Sequence, residues 1–136
     1  MQVPPINTNK NNPTFGYSNI LKTAYKQGLL PTVRYGFYGS RLNPKNVTLE
    51  HVKPKSQGGK SCIANYVLAT KENNSLRGNE DINKVVNKAD VLRYLYQFKD
   101  VVIKRFNGNK YIAMVVQSLK KLGFDITNDI NNLLKW

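Results

Sequence analysis

The residues best suited to chemistry are one histidine, an adjacent carboxylate and two asparagines in the middle of the chain. His51 is the single histidine among 136 residues, and Glu50 precedes it. Asn65 lies fourteen residues after His51, and Asn74 lies nine residues after Asn65. Carboxylate and amide oxygens suit a hard cation such as Mg²⁺, and a neutral imidazole with a pKa near ~6.5 can take a proton from water. This combination predicts hydrolysis with His51 as a base beside a divalent cation.

Two strands and a short helix have to position these residues. The predicted elements are a strand at 47–52, a loop at 53–61, a second strand at 64–69 and a short helix at 70–79. Thr70 is a predicted N-cap and Gly78 a predicted C-terminal stop, so Asn74 would project from the helix toward the strands. Alternation along the first strand points Glu50 and His51 to opposite faces unless the strand ends or twists there.

This segment resembles the HNH endonuclease motif, a ββα-metal finger found in phage and homing nucleases. The matching residues are Glu50, His51, Pro54, Ser56, Gly58, Gly59, Asn65, Asn74, Arg77 and Gly78. The resemblance is confined to residues 47–79, and several linked positions match at fixed spacing. It implies an α+β fold in which this finger is embedded among N-terminal and C-terminal helices.

The resemblance also implies a role for each matching polar residue. His51 would be the general base that activates water, and Glu50 and Asn74 would be the metal ligands. Asn65 would brace the loop and orient the imidazole, and Arg77 would contact phosphate. The implied reaction is hydrolysis of DNA phosphodiester bonds with one divalent ion, Mg²⁺ or else Mn²⁺, leaving 3′-hydroxyl and 5′-phosphate ends.

Two features depart from the family pattern. Many phage members hold the finger with two CxxC pairs on a structural zinc ion. The corresponding positions here are Tyr35, Tyr38, Thr70 and Asn73. With Cys62 as the single cysteine, no structural zinc site is expected, and packing by Tyr35, Phe37, Tyr38 and the C-terminal helices would replace it. Glu50 stands where the family more often has Asp, which retains the carboxylate charge.

The chain is strongly basic, with 21 Lys and Arg against 8 Asp and Glu and a formal net charge of +13. Such an excess favours a polyanion, most simply nucleic acid. Lys53, Lys55 and Lys60 in the predicted loop are therefore expected to contact it. The alternative is a solvated basic surface that serves solubility, and for Lys120-Lys121 and Lys104-Arg105 the two interpretations are evenly balanced.

The rest of the chain predicts one domain that is mainly helical. Residues 1–15 read as a flexible arm, and Ser18 could cap a first helix that ends at Gly28. Residues 80–136 form the predicted basic helical region. Its elements are a helix from Ile82, broken at an Asp90 cap and continuing weakly to Phe106, a second helix ended by Gly123, and a last one capped by Thr127.

No apolar run is long enough to span a membrane, so no membrane partner is expected. One cysteine fits a reducing compartment, here the cytoplasm of a bacterium or a phage-infected cell, and Cys62 is interpreted as a small buried residue. Each site residue, considered alone, also has a structural interpretation. His51 could be a partly exposed polar residue, Glu50 a salt-bridge partner for a lysine, and Asn65 and Asn74 turn or cap residues.

The leading hypothesis is an HNH endonuclease that nicks or cuts duplex or branched DNA, with a homodimer as one route to double-strand cleavage. The alternative is a catalytically inactive nucleic-acid-binding or virion-associated protein that retains the HNH scaffold. A third hypothesis, an RNA-binding accessory protein, depends on charge alone.

Overall fold

Two antiparallel strands and the helix that follows them lie at the centre of the fold. The computed structural model describes residues 20–135, so the predicted arm at 1–15 and the Ser18 cap lie outside the described residues. In chain order the elements are α1 (Ile20–Lys26), β1 (Val47–His51), β2 (Tyr66–Thr70), α2 (Lys71–Arg77), α3 (Ile82–Val85), α4 (Lys88–Tyr96), β3 (Val102–Ile103), β4 (Phe106–Asn107), α5 (Gly108–Lys121) and α6 (Thr127–Leu134). The chain is thus α+β, as predicted.

The order of strand, loop, strand and short helix across residues 47–79 is present. β1 pairs antiparallel with β2, and Glu50 lies opposite Val67 while His51 lies opposite Tyr66. The Thr70 side chain accepts a hydrogen bond from the backbone N–H of Asn73, which is the N-cap that the sequence predicted for α2. The helix that carries Asn74 therefore follows β2 directly, with no loop between them.

The side of β2 away from β1 is tied to the C-terminal helices by two buried tyrosines. The backbone N–H of Leu68 donates to the Tyr94 hydroxyl at 2.9 Å, and the Tyr111 hydroxyl donates to the Tyr66 carbonyl at 2.7 Å. The two hydroxyls lie 2.9 Å apart. Phe37, fully buried, donates its backbone N–H to the Leu68 carbonyl. All five β2 residues are buried, so aromatic packing anchors the strand pair.

The predicted break in the helix after Ile82 occurs, but its cap differs from the prediction. α3 ends at Val85, Val86 is extended, and α4 begins after Asn87. The Asn87 side chain accepts from the backbone N–H of Asp90, so Asn87 is the N-cap and Asp90 lies within the first turn. Asn87 is the cap because its side-chain oxygen accepts from the Asp90 backbone N–H, which has no partner inside the helix.

The predicted helical continuation to Phe106 is wrong, because residues 102–107 form a β-hairpin of β3 and β4. Asp100 adopts a positive φ of 61° that ends any helix there. Its backbone N–H donates to the Asn109 side chain at 3.0 Å. Phe106 still reaches the core, where its ring packs against Phe98 and Tyr111. The apolar spacing thus predicted which position is buried but predicted a helix where the chain forms a hairpin.

The last helix begins where predicted, although Thr127 is not its cap. The Asp125 carboxylate accepts from both the backbone N–H and the hydroxyl of Thr127, at 2.9 and 2.6 Å. None of the helices within residues 20–135 combines the length and apolarity that crossing a membrane requires.

Candidate active site

Glu50 is a buried carboxylate on β1 surrounded by hydrogen-bond donors. It is 7% exposed, and a carboxylate so buried needs partners to remain charged. The Tyr38 hydroxyl donates to Oε2 at 2.9 Å, and Arg77 Nη1 donates to the same oxygen at 3.3 Å. In the orientation that satisfies both groups, the Asn74 amide nitrogen donates to Oε1 at 2.7 Å and Oε2 at 3.1 Å. Three side chains, Tyr38 from the segment before β1 and Asn74 and Arg77 from α2, therefore converge on Glu50.

Burial raises the pKa of Glu50 above its ordinary value, while the Tyr38 hydroxyl and the Arg77 guanidinium act in the opposite direction. Burial, followed by the negative charge of Glu50, also raises the pKa of Tyr38. The phenol consequently stays protonated at neutral pH and serves as a donor to the carboxylate. Sequence reasoning assigned Tyr38 to packing alone and missed this hydrogen bond, because it depends on two segments meeting in the fold.

Arg77 does not lie where a phosphate contact was expected. It is 3% exposed, and its guanidinium donates to the backbone carbonyls of His51 at 2.7 Å, Val52 at 2.9 Å and Glu80 at 3.0 Å. Together with the Glu50 ion pair, these bonds tie the end of β1 to the end of α2. The phosphate assignment is therefore corrected: Arg77 is a buried structural residue.

His51, the last residue of β1, presents a half-buried imidazole near the Ser61 hydroxyl. Its Nε2 lies 3.3 Å from the Ser61 hydroxyl, and its ring centroid lies 4.8 Å from that of Tyr66. Burial lowers the pKa of His51, and the charges of Lys55 and Arg77 lower it further. The neutral form of the imidazole, in which one nitrogen can accept a proton, is therefore favoured. No sequence signal pointed to Ser61 as its neighbour.

Asn65 braces the loop that follows β1. It is 7% exposed, its Oδ1 accepts from the backbone N–H of Lys53 at 2.8 Å, and its Nδ2 donates to the carbonyls of Lys53 at 3.0 Å and Lys60 at 2.9 Å. One side chain therefore closes both ends of the segment between Lys53 and Lys60. Ser61 directly follows this segment, so the shape of the segment also positions the hydroxyl that faces His51.

Glu50 and Asn74 lie in direct contact, and both carry oxygen atoms of the kind that a divalent cation binds. With its amide turned over, Asn74 would set its carbonyl oxygen against a carboxylate oxygen at the same 2.7 Å. That orientation would offer one amide oxygen and one carboxylate oxygen to a cation such as Mg²⁺, which binds oxygen ligands at ~2.1 Å. Within residues 20–135 no group of three or more His, Cys, Asp or Glu side chains could hold a metal ion. A cation bound at this position would take its protein ligands from Glu50 and Asn74.

The loop lysines and Cys62 are exposed. Lys53, Lys55 and Lys60 all project from the segment that Asn65 braces, and Lys53 and Lys60 border a cleft of about 370 Å³. Cys62, interpreted from sequence as buried, is exposed, because it precedes the turn that begins at Ile63 rather than the strand.

The strand pair and α2 thus bring together a carboxylate and an amide, and they present a neutral imidazole from the next residue. Such a set can activate water beside an oxygen-bound cation. No protein-family model matches the chain, and no curated protein or solved structure matches it.

Proposed function

We propose that this protein is a metal-dependent endonuclease of the HNH type that hydrolyses phosphodiester bonds in DNA. The observation that carries this proposal is the approach of the Asn74 amide to within 2.7 Å of the Glu50 carboxylate, one residue from the chain's single histidine. Asn65, which braces the adjacent loop with three hydrogen bonds, supports the same assignment.

In the proposed reaction, the neutral His51 imidazole takes a proton from water, and the water oxygen attacks phosphorus. The bond from phosphorus to the 3′ oxygen breaks, and the released 3′ oxygen takes a proton from solvent, which leaves 3′-hydroxyl and 5′-phosphate ends. Glu50 and Asn74 would hold a Mg²⁺ or Mn²⁺ ion, which would supply charge stabilisation for the phosphate and the leaving oxygen. Tyr38 and Arg77 hold the Glu50 carboxylate in place, and Asn65 holds the loop beside His51.

The net charge of +13 supports a nucleic acid as the partner. DNA, in duplex or branched form, is the proposed substrate, and a homodimer would supply the second cut for a double-strand break. The proposed setting is the cytoplasm of a bacterium or a phage-infected cell.

One observation favours a second candidate function, a nucleic-acid-binding or virion-associated protein that retains the scaffold without catalysis. The Glu50 carboxylate is satisfied within the protein, because Tyr38, Arg77 and the Asn74 amide all donate to it. Such a cluster can stabilise the fold with no cation bound.

A plasmid-nicking assay with Mg²⁺ or Mn²⁺ separates the two candidates. We expect nicking that depends on the cation and is lost in His51→Ala, while DNA binding survives. Asn74→Ala should behave like His51→Ala, with partial recovery at higher cation concentration. Equal nicking by wild type and His51→Ala overturns the proposed mechanism. Binding without nicking of supercoiled, duplex or branched DNA would establish the second candidate.

A further inference from the structure

Three lysines from two distant parts of the chain border one open cleft. Lys53 and Lys60 come from the loop after β1, and Lys121 is the last residue of α5. The cleft has a volume of about 370 Å³. No acidic side chain is among the described residues that line it. The cleft is therefore a concentrated positive field that faces solvent.

Hydrogen bonds and close backbone packing fix the shape of the loop side of this cleft. Asn65 holds the main chain of Lys53 and of Lys60, so the starting point of each lysine side chain is fixed. Gly58 has a φ of +89°, and a Cβ there would lie 3.9 Å from the Lys53 ammonium, which places that ammonium over the glycine turn. A Cβ at Gly59 would collide with the Lys53 carbonyl oxygen. The two glycines therefore let the backbone fold closely beneath Lys53.

The helix side of the cleft is fixed to the loop side by one hydrogen bond. The Ser118 hydroxyl donates to the Ala64 carbonyl at 2.8 Å, which attaches α5 to the turn before β2. Lys121 lies three residues after Ser118 and therefore on the same face of the helix. Lys120, its exposed neighbour, lies on a different face and borders a separate groove with Thr127. The two adjacent lysines thus have equal charge but different surroundings.

The charge of the cleft is not neutralised within the described chain. The ion pairs found among residues 20–135 are Arg77–Glu50, Lys88–Asp129 and Arg93–Asp90, and none includes a cleft lysine. Three clustered ammonium groups without an acid attract a polyanion strongly. Lys60, which borders the cleft, precedes Ser61, whose hydroxyl lies 3.3 Å from His51 Nε2.

We propose that the Lys53–Lys60–Lys121 cleft binds a backbone phosphate of nucleic acid and thereby sets which phosphodiester reaches His51. That the strand is DNA, and that it is cut, rests on the function proposed above; the phosphate contact does not. Lys121 is a residue that the HNH resemblance does not reach, since it lies outside residues 47–79.

The test measures DNA binding by the full chain in EDTA, by fluorescence anisotropy of a labelled duplex across a range of NaCl concentrations. Loss of one phosphate contact lowers the slope of log K against log[NaCl] by about 0.9. We expect this change in Lys121→Gln and roughly twice that change in Lys53→Gln/Lys121→Gln. Lys120→Gln is the matched control, and its slope should equal that of wild type. All substituted side chains are exposed, and thermal melting verifies that each variant folds.

Equal slopes for Lys120→Gln and Lys121→Gln would overturn the proposal that the cleft binds phosphate, whatever the nicking assay shows. If the slope changes in Lys121→Gln but not in Lys120→Gln, and the protein nicks no DNA, the phosphate-binding role of the cleft is supported and the endonuclease proposal is overturned. The two proposals can therefore fail separately.

Discussion

The guanidinium of Arg77 lies 3.3 Å from the Glu50 carboxylate, with the two side chains only 2% and 8% exposed. Removing one partner leaves a charge buried and unpaired, which costs about 3–5 kcal/mol. We therefore expect Arg77→Ala to lower the free energy of unfolding by about that amount, measured by urea denaturation.

The matched control for Arg77 is the exposed pair Lys88–Asp129, whose side chains are 56% and 39% exposed at 3.4 Å. Exposed pairs contribute about 0–1 kcal/mol, so Lys88→Ala should change stability by no more than that. Similar losses in Lys88→Ala and Arg77→Ala would contradict the buried structural role of Arg77.

The Glu50–Asn74 pair predicts a stability that depends on divalent cations. Asn74→Asp places a second carboxylate beside Glu50, and two like charges so close repel each other. We expect this variant to melt below wild type in EDTA and to gain more than wild type from Mn²⁺ or Mg²⁺, because a cation relieves the repulsion. Differential scanning fluorimetry with and without the cation measures both effects.

Glu50→Gln is the control for this prediction, since it removes the carboxylate and keeps the shape. Its melting temperature should not respond to the cation. A cation that stabilises wild type, Asn74→Asp and Glu50→Gln equally would show that it binds elsewhere.

The local elements of the site were predictable from sequence because short-range rules determine them. β-Branched alternation predicted β1, and the Thr70 cap and the stop at Gly78 predicted α2. The hairpin at residues 102–107 was not predictable in this way. Two strands of two residues each carry no measurable alternation, and their apolar side chains also fit a helical period.

The positions of Arg77 and Tyr38 were not predictable for a different reason. An arginine before a helix-ending glycine reads as a surface cation, yet Arg77 is buried because α2 brings it against the free carbonyls of His51 and Val52. Tyr38 reaches Glu50 only because the segment before β1 folds across the strand pair. Such contacts arise from tertiary structure, and no local pattern encodes them.

The buried side chain of Asn65 predicts a loop that loses its shape when the amide is removed. Asn65→Ala leaves backbone groups of Lys53 and Lys60 without partners, at about 1–3 kcal/mol for each buried group. We expect lower stability and faster amide exchange at Lys53 by NMR. Unchanged protection of the Lys53 amide would contradict the bracing role.

The single histidine allows its charge state to be followed without ambiguity. Burial and the nearby charges of Lys55 and Arg77 lower the pKa of His51, so its NMR titration should have a midpoint below ~6.5, the unperturbed value. Because the folded state binds this proton less tightly than the unfolded state, the stability contribution is complete above pH ~6.5 and is lost as pH falls toward the folded pKa. Lys55→Gln should move the midpoint upward, whereas Lys45→Gln should not.

The same pKa predicts the pH dependence of the proposed cleavage, because only the neutral imidazole can accept a proton from water. Single-turnover nicking at saturating Mg²⁺ should rise tenfold per pH unit on the acidic side and level off before pH 7. The NMR midpoint without metal sets an upper bound for this inflection, since a cation held nearby further disfavours the charged imidazole. Binding of the same DNA should vary little over the inflection. A rate that continues to rise tenfold per unit above pH 7 would mean that a group other than His51 loses the proton.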